Sequence, residues 1–179
     1  MRRVVIGIMV LGALSVGLTA APAGAAKPAV SVRDATCDVD GHVTISPGLA
    51  HTAPAQKFRF DLQLSCISTT AELTATMRLP SAGCTQPIFG LSGLITIAGA
   101  DATTSSGKLS IQTNLLGETG NTSMKAKIRA GRFSGDHASA VAQMTADQTG
   151  SCSTTPITSL TVYAHRSAFL TPLIFKHPA

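Results

Sequence analysis

Three side chains with catalytic potential, Ser134, Asp136 and His137, lie within four consecutive positions. A serine hydrolase requires a nucleophilic hydroxyl, a histidine base and a carboxylate that orients the base, and these residues supply one of each. However, the segment Gly131–Gly135, which contains Ser134, does not match the G-x-S-x-G nucleophile elbow. A tight turn in which Asp136 hydrogen-bonds to its own backbone explains the same residues. We therefore keep hydrolysis as an alternative function and favour a turn.

A second group of residues is basic. Lys125, Lys127 and Arg129 alternate with apolar residues, so in a β-strand they would project from one face over about 13 Å. Arg132 follows shortly after them in the chain. Such a stripe is suited to an anionic partner, for example a cell-wall polymer, a lipid headgroup or an acidic protein patch. A solvated face, or an edge strand that lysines protect from aggregation, would have the same sequence.

Other reactive or ligand-binding combinations have little support. The two glutamates, Glu72 and Glu118, have the settings of surface residues rather than of a glycosidase acid pair. Asp38–Gly41 has the opening of a calcium loop but lacks the later ligands and the closing glutamate. The histidines are scattered without metal-binding spacing, at His42, His51, His137, His165 and His177. We therefore predict no catalytic residue, no metal site and no cofactor.

Composition narrows the classes of partner. With no tryptophan and a single tyrosine, Tyr163, the chain lacks the aromatic platforms on which sugar rings stack. The net charge is +5, and it falls to +3 if Arg2 and Arg3 are removed with an N-terminal signal. That charge is too small to predict a nucleic-acid partner. The partner classes that remain are an anionic cell-envelope component and another protein.

The N-terminus has the features of a secretory signal peptide. Arg2 and Arg3 precede an apolar stretch, Val4–Leu18, and Ala23–Ala25 has the A-x-A form of a cleavage site. The apolar stretch is shorter than the ~20 residues that a membrane-spanning helix requires. We predict that residues 1–25 are a signal peptide and that the protein is secreted. The mature residues, 26–179, are expected to form one disulfide-stabilised β domain with no membrane span.

The four cysteines predict two disulfides, because an exported chain meets an oxidising environment. Their spacing contains no Cys-x-x-Cys pair that would indicate a zinc site. Three pairings are open from sequence alone. We favour Cys37–Cys66, which would join neighbouring N-terminal strands, together with Cys84–Cys152, which would hold a late loop.

Alternation of apolar and polar residues dominates the mature chain and is typical of half-buried antiparallel strands. We predict strands at 36–39, 42–45, 57–66, 71–79, 91–97, 109–115, 124–129, 138–145 and 160–165. Asp40-Gly41 predicts a type I′ hairpin between the first two strands. Residues 103–107 and 117–123 are predicted loops, and 176–179 a frayed tail.

Eight to ten short strands separated by turns predict an all-β domain. We favour an antiparallel two-sheet sandwich, immunoglobulin-like or related, over a closed β-barrel, which is the alternative. Both architectures require the same alternation of inward and outward residues.

Several turns, strand ends and cysteines resemble those of a protein family. The segments are Ala35–Cys37, Ser46–Leu49, Leu64–Cys66, Gly131–Asp136 and Gly150–Thr158. With the alanine-rich signal, they resemble small exported all-β proteins of actinobacteria, a group of uncharacterised function. The resemblance implies export, a β fold and disulfides, and it supplies no active-site residue.

The sequence as a whole favours a secreted, non-catalytic β protein that acts as an extracellular or cell-envelope interaction module. The first alternative is a small secreted hydrolase with a site near Ser134, Asp136 and His137. The second alternative is an electrostatic binder of anionic cell-wall polymer through the basic residues near Lys127.

Overall fold

The computed structural model describes residues 35–51, 55–84, 87–113, 119–148, 152 and 154–177. Within these ranges the chain forms nine β-strands, and none of it is helical. The strands are β1 (Thr36–Leu49), β2 (Gln56–Cys66), β3 (Thr70–Leu79), β4 (Ile88–Gly99), β5 (Thr104–Thr113), β6 (Thr119–Ala130), β7 (His137–Ala146), β8 (Ile157–Ala164) and β9 (Thr171–Lys176). The described residues accordingly include no helix with the length and apolar character that crossing a bilayer requires.

The strands close into an antiparallel β-barrel, so the sandwich prediction is wrong and its stated alternative is confirmed. Each strand from β1 to β7 pairs with the next, and β8 pairs back onto β1. The closing contact places Val39 opposite Ala164, near the two ends of the described chain. Alternation along each strand is the same in both architectures, because it reports which face is buried and not which strands pair.

The last strand, β9, continues the line of β8. Val39 lies opposite Ala164 of β8, whereas Thr36 lies opposite Ile174 of β9. Three steps along β1 therefore correspond to ten steps along the facing segment, which leaves seven residues over. Six of them, residues 165–170, form the loop between β8 and β9, and the seventh is accounted for by the register shift between β9 and β7. Both strands also pair with β7, so together they form one interrupted strand of the barrel.

Apolar side chains pack the barrel interior. Phe58 and Phe60 of β2 and Phe175 of β9 are among the largest fully buried side chains. Three inward residues of β7 are small: Ala138, Ala140 and Ala142. An eight-stranded barrel is just wide enough to be filled by side chains, so large residues on one part of the wall fit opposite small residues on another. Burial of each phenylalanine stabilises the fold by about 1.5–3 kcal/mol.

The predicted hairpin at Asp40-Gly41 is wrong, since β1 runs without a break through both residues. Gly41 serves a different purpose there. A Cβ at this position would lie 2.3 Å from the backbone oxygen of Asp61 on β2. Glycine is needed because the two strands approach more closely than a side chain allows, as happens where barrel strands bend.

Two predicted loops, 103–107 and 117–123, are also largely strand, since β5 begins at Thr104 and β6 at Thr119. Their polar residues suggested solvent exposure, but some of them face inward. The buried hydroxyl of Thr122 donates to that of Thr113 across the β5–β6 pair, at 2.7 Å. A buried hydroxyl with a partner is tolerated in a wall, so polarity alone did not distinguish a loop from a strand.

Two disulfides are present, and they use the pairs favoured from the sequence. Cys37–Cys66 joins residues directly opposite each other on β1 and β2. Cys84–Cys152 joins the β3–β4 loop to the β7–β8 loop. These loops are half a turn of the barrel apart, so this disulfide ties together opposite sides of one barrel opening. We call this opening the upper end.

Candidate functional site

The outer surface of β5, β6, β7 and β9 carries a group of exposed basic side chains. We call this surface the basic face, and its residues are Lys108, Lys125, Lys127, Arg129, His137 and Lys176. Along β6, Lys125, Lys127 and Arg129 project outward while the residues between them are buried, as the alternation predicted. They span about 13 Å at the usual rise of a strand.

The strand register extends this stripe sideways. Lys108 of β5 lies opposite Lys127 of β6, and Lys127 lies in turn opposite His137 of β7. His137 lies opposite Lys176 of β9. Neighbouring strands are about 4.8 Å apart, so this row crosses about 14 Å of the wall. The basic face is therefore cross-shaped, with Lys127 at the crossing point.

The strand that carries the stripe is not an edge strand. Strand β6 pairs with β5 on one side and with β7 on the other, and both sets of backbone pairings extend over most of its length. Lysines that protect an edge from aggregation have no such task on a strand already paired on both sides. Of the two plain interpretations of the sequence, a solvated face is the one that remains.

The basic face has no carboxylate partner in the described part of the chain. The ion pairs there involve other residues, and none includes a member of the basic face. Like charges directly opposite each other on neighbouring strands destabilise a sheet. Lys108 and Lys127 are such a pair. Because neither forms an ion pair within the described chain, their positive potential is not neutralised there.

Arg132, predicted to extend the stripe, lies apart from it. It follows the end of β6, where its guanidinium is 2.8 Å from the carboxylate of Asp101. Its guanidinium also lies 5.9 Å from the ring centre of Phe133. Hydrogen bonds from Thr103, and to a smaller extent the charge of Arg132, lower the pKa of Asp101 and outweigh the opposing effect of desolvation. Arg132 thus has a local carboxylate partner, which the basic face does not have among the described residues.

The structure does not bring Ser134, Asp136 and His137 together as a catalytic group. The Ser134 hydroxyl donates to the backbone oxygen of Arg129, at 3.1 Å. Asp136 is buried, and its Oδ1 lies 2.8 Å from Nδ1 of His177. His137 is exposed on β7 as part of the basic face. A turn does occur there, since the Asp136 amide donates to the Phe133 carbonyl. The predicted hydrogen bond from the Asp136 side chain to its own backbone is wrong, because Oδ1 contacts His177 and Oδ2 has no hydrogen-bond partner.

A contrasting surface lies on β8, β1 and β2. We call it the paired face, and its residues are Asp38, Asp40, His42, Arg59, Asp61, Asp147 and His165. His165 lies 2.9 Å from Asp40 and stacks on the ring of Tyr163. Arg59 lies 3.0 Å from Asp61. Each carboxylate on this face has a basic or hydroxyl partner nearby.

Asp147 is the most elaborately bound carboxylate of the paired face. Partial burial raises its pKa, but hydrogen bonds from the Ser159 and Thr161 hydroxyls and the nearby His42 outweigh that effect. The net result is a pKa below the ordinary carboxyl value. The ionised carboxylate is therefore stabilised by its neighbours in the folded state.

Metal ligation has no geometric support in the residues that the structure describes. They contain no group of three or more His, Cys, Asp or Glu side chains arranged to hold a metal ion. Asp38 and Asp40, the start of the calcium-like sequence, instead accept contacts from His165.

Sequence reasoning missed three members of the basic face, Lys108, His137 and Lys176. Lys108 directly precedes a predicted strand and Lys176 was assigned to a frayed tail, whereas it ends β9. His137 was considered only as a catalytic base. Their proximity depends on pairing among β5, β6, β7 and β9, which no local pattern reveals.

Fold and surface together define a class: a disulfide-linked, closed antiparallel β-barrel whose basic face forms no ion pair with the residues that the structure describes. No family model matches the chain, and no curated protein or solved structure matches it either. Its function is therefore inferred from its own geometry and charge.

Proposed function

We propose that this protein is an exported, non-catalytic interaction module that binds an anionic polymer of the cell envelope through its basic face. One observation carries the proposal: the row from Lys108 through Lys127 and His137 to Lys176 crosses four adjacent strands. Because its lysines form no ion pair within the described chain, their potential is available to an external anion.

The shape of the basic face suits a polymer better than a small anion. Its cations are spread over about 13 Å along β6 and about 14 Å across the strands, and they do not converge on one point. A chain with regularly spaced negative charges contacts several of them at once. Pairing on both sides of β6 also fixes its backbone, so little backbone ordering is needed on binding.

A face that needed only solvation would gain stability from mixed charges. The paired face of the same barrel is solvated in that way, with Arg59 beside Asp61 and His165 beside Asp40. The basic face instead places Lys108 opposite Lys127, which costs stability. An anionic partner would offset this repulsion.

Export is supported by the N-terminal sequence and is compatible with the disulfides. Residues 1–25 have the charged, apolar and small-residue regions of a signal peptide. All four cysteines are in disulfides, which persist in oxidising compartments. The resemblance to exported actinobacterial proteins favours the same location and makes the actinobacterial cell wall the first partner to test.

The hydrolase alternative has less support. It requires a nucleophile, a base and a carboxylate in mutual contact, whereas Ser134, Asp136 and His137 each have a different environment. Asp136 and His177 do form a carboxylate–histidine pair. In the described residues, however, no serine or threonine hydroxyl forms a hydrogen bond with that histidine.

Co-sedimentation with isolated actinobacterial cell walls tests the proposal. The basic-face variant combines Lys108→Gln, Lys125→Gln and Lys127→Gln. All three side chains are exposed, so the barrel is expected to fold. We expect the variant to bind at least about 10-fold more weakly at low salt, because each lost contact with a polyanion is worth roughly 1 kcal/mol.

A matched control removes the same number of charges elsewhere. It combines Lys57→Gln, Arg59→Gln and Arg78→Gln on β2 and β3. If this control variant co-sediments with cell walls as the unaltered protein does, the result supports the basic face as the binding site. Equal loss in the two variants would show that net charge alone governs retention, and unchanged retention in the basic-face variant would contradict the proposal.

A further inference from the structure

A groove of about 450 Å³ lies near the upper end of the barrel, lined by residues at the ends of β1, β2 and β3. We call it the upper cleft. Ala55, Leu79 and Pro80 provide apolar lining, and the side chains of Lys57 and Arg78 provide two positive charges. Its volume is within the range of small-molecule sites, which combine apolar walls with a few placed polar groups.

The two cations of the upper cleft face each other without a counter-charge. Lys57 lies directly opposite Arg78 in the β2–β3 register, and neither forms an ion pair within the described residues. The flanking segments 50–55 and 80–87 contain no aspartate or glutamate. Arg59, two positions along β2, does have a partner in Asp61. Two opposed cations at an apolar groove are complementary to an anionic group.

The buried side-chain amide of Gln56 lines the upper cleft and is hydrogen-bonded to the backbone of β1. Gln56 accepts a hydrogen bond from the Gly48 amide at 3.0 Å and donates one to the Gly48 carbonyl at 2.8 Å. These contacts fix the end of β1 against the beginning of β2 and use the polar groups of Gln56 internally. The cleft therefore presents its charge through Lys57 and Arg78.

The apolar lining continues away from the two cations. A second groove, of about 320 Å³, shares Leu79 and Pro80 with the upper cleft. It leads to Pro87 and Phe89 at the start of β4. The Phe89 side chain is 67% exposed, so its ring adds apolar surface at the far end of the second groove. Charge at one end and apolar surface along the rest make an amphipathic track.

We infer that this track binds a long-chain fatty carboxylate. The carboxylate lies between Lys57 and Arg78, and the alkyl chain follows Leu79 and Pro80 towards Phe89. Guanidinium and ammonium groups form strong charge-assisted hydrogen bonds with carboxylates. Burial of the alkyl chain adds about 0.8 kcal/mol per methylene group fully removed from water. This site is separate from the basic face and does not depend on its function.

Isothermal titration with dodecanoate, below the concentration at which it forms micelles, tests the carboxylate end of the track. Binding of one dodecanoate per protein is expected. Lys57→Gln combined with Arg78→Gln is expected to weaken binding at least about 10-fold, because both charge-assisted contacts are lost. The matched control, Lys125→Gln with Lys127→Gln, removes the same charge from the basic face and is expected to bind as the unaltered protein does.

Chain length tests the apolar end. Phe89→Ser is expected to weaken dodecanoate binding about 5-fold and to leave the weaker binding of hexanoate unchanged, because a short chain does not reach Phe89. Dodecanol, which has the chain without the charge, is expected to bind at least about 10-fold more weakly than dodecanoate. Absence of dodecanoate binding would overturn the inference. So would an equal loss of dodecanoate affinity in the Lys57→Gln, Arg78→Gln variant and in the Lys125→Gln, Lys127→Gln control. Cell-wall retention by the basic face is measured separately, so failure of one proposal is distinguishable from failure of the other.

Discussion

The two sides of the barrel handle charge in opposite ways. On the paired face, carboxylates lie beside basic or hydroxyl groups of β8, β1 and β2. On the basic face, lysines lie beside other lysines and a histidine. Both sides are built from the same alternating strands, so the difference arises from which outward residues the register brings together. A small net charge can therefore be concentrated into one patch that no carboxylate of the described residues neutralises.

The two sides also differ in covalent support. Cys37–Cys66 joins β1 and β2 directly beneath the paired face. Neither disulfide has a cysteine in the strands of the basic face. Stability and binding are therefore expected to respond to different substitutions.

The largest expected effect comes from removing the disulfide beneath the paired face. Cys37→Ala with Cys66→Ala removes a disulfide between positions 29 residues apart in the chain. Restriction of the unfolded chain by such a disulfide raises the free energy of unfolding by about 3.5 kcal/mol. Urea unfolding is expected to show this loss, while the folded fraction still binds cell walls. A loss below about 1 kcal/mol, or a loss of binding in folded protein, would contradict the separation.

A smaller loss is expected from His177→Ala. This change leaves the buried carboxylate of Asp136 without the partner on its Oδ1, and its Oδ2 already lacks a hydrogen bond in the structure. An unsatisfied buried group costs about 1–3 kcal/mol, and the exposed position of His177 favours the lower end. Thermal unfolding measures the loss. His51→Ala, at an exposed position outside the strands, serves as the control and should leave stability unchanged.

The pH dependence of stability tests the paired face. Because the pKa of Asp147 is lowered in the folded protein, its contribution is present above the unfolded carboxyl pKa of about 3.9 and is lost as the pH falls through the folded value. Ser159→Ala with Thr161→Val is expected to cost about 1 kcal/mol at pH 7. The difference from the unaltered protein should shrink in acid below pH 4. A difference that is constant from pH 7 to pH 2 would exclude Asp147 as its source.

The smallest expected effects have opposite signs on the two sides. Lys127→Glu places a carboxylate opposite Lys108 and should raise the free energy of unfolding by about 0.5 kcal/mol. Arg59→Glu removes the partner of Asp61 and should lower it by a similar amount. Urea unfolding in low salt measures both. If Lys127→Glu were destabilising, the repulsion argued for the basic face would be absent.

Local features of the fold were predictable because they depend on neighbouring residues. Alternation gave the positions of most strands, and the outward direction of Lys125, Lys127 and Arg129 follows from it. Glycine was misleading. Gly41 marked a close approach to β2 rather than a turn, because sequence cannot distinguish a glycine needed for its positive φ in a loop from one needed for space between strands.

Features that depend on distant pairing were not predictable. Closure of the barrel requires β1 to pair with β8, and Lys176 joins the basic face because β9 resumes the line of β8 after a loop. The Lys57–Arg78 pair is an intermediate case. The two residues lie in neighbouring predicted strands, 57–66 and 71–79, where alternation with apolar residues directs both of them outward. Only the register of those strands was needed to bring them together.

The salt dependence of polymer binding is the most direct test of whether the basic face binds an anionic polymer. Affinity for a defined anionic polymer, sodium polyphosphate, is measured from 50 to 300 mM salt for the unaltered protein and for the Lys108→Gln, Lys125→Gln, Lys127→Gln variant. Contacts between cations and a polyanion release counterions, so the logarithm of affinity should fall linearly with the logarithm of salt concentration. We predict a slope that is shallower by about two to three in the variant. Identical slopes for the two proteins would mean that the basic face does not contact the polymer.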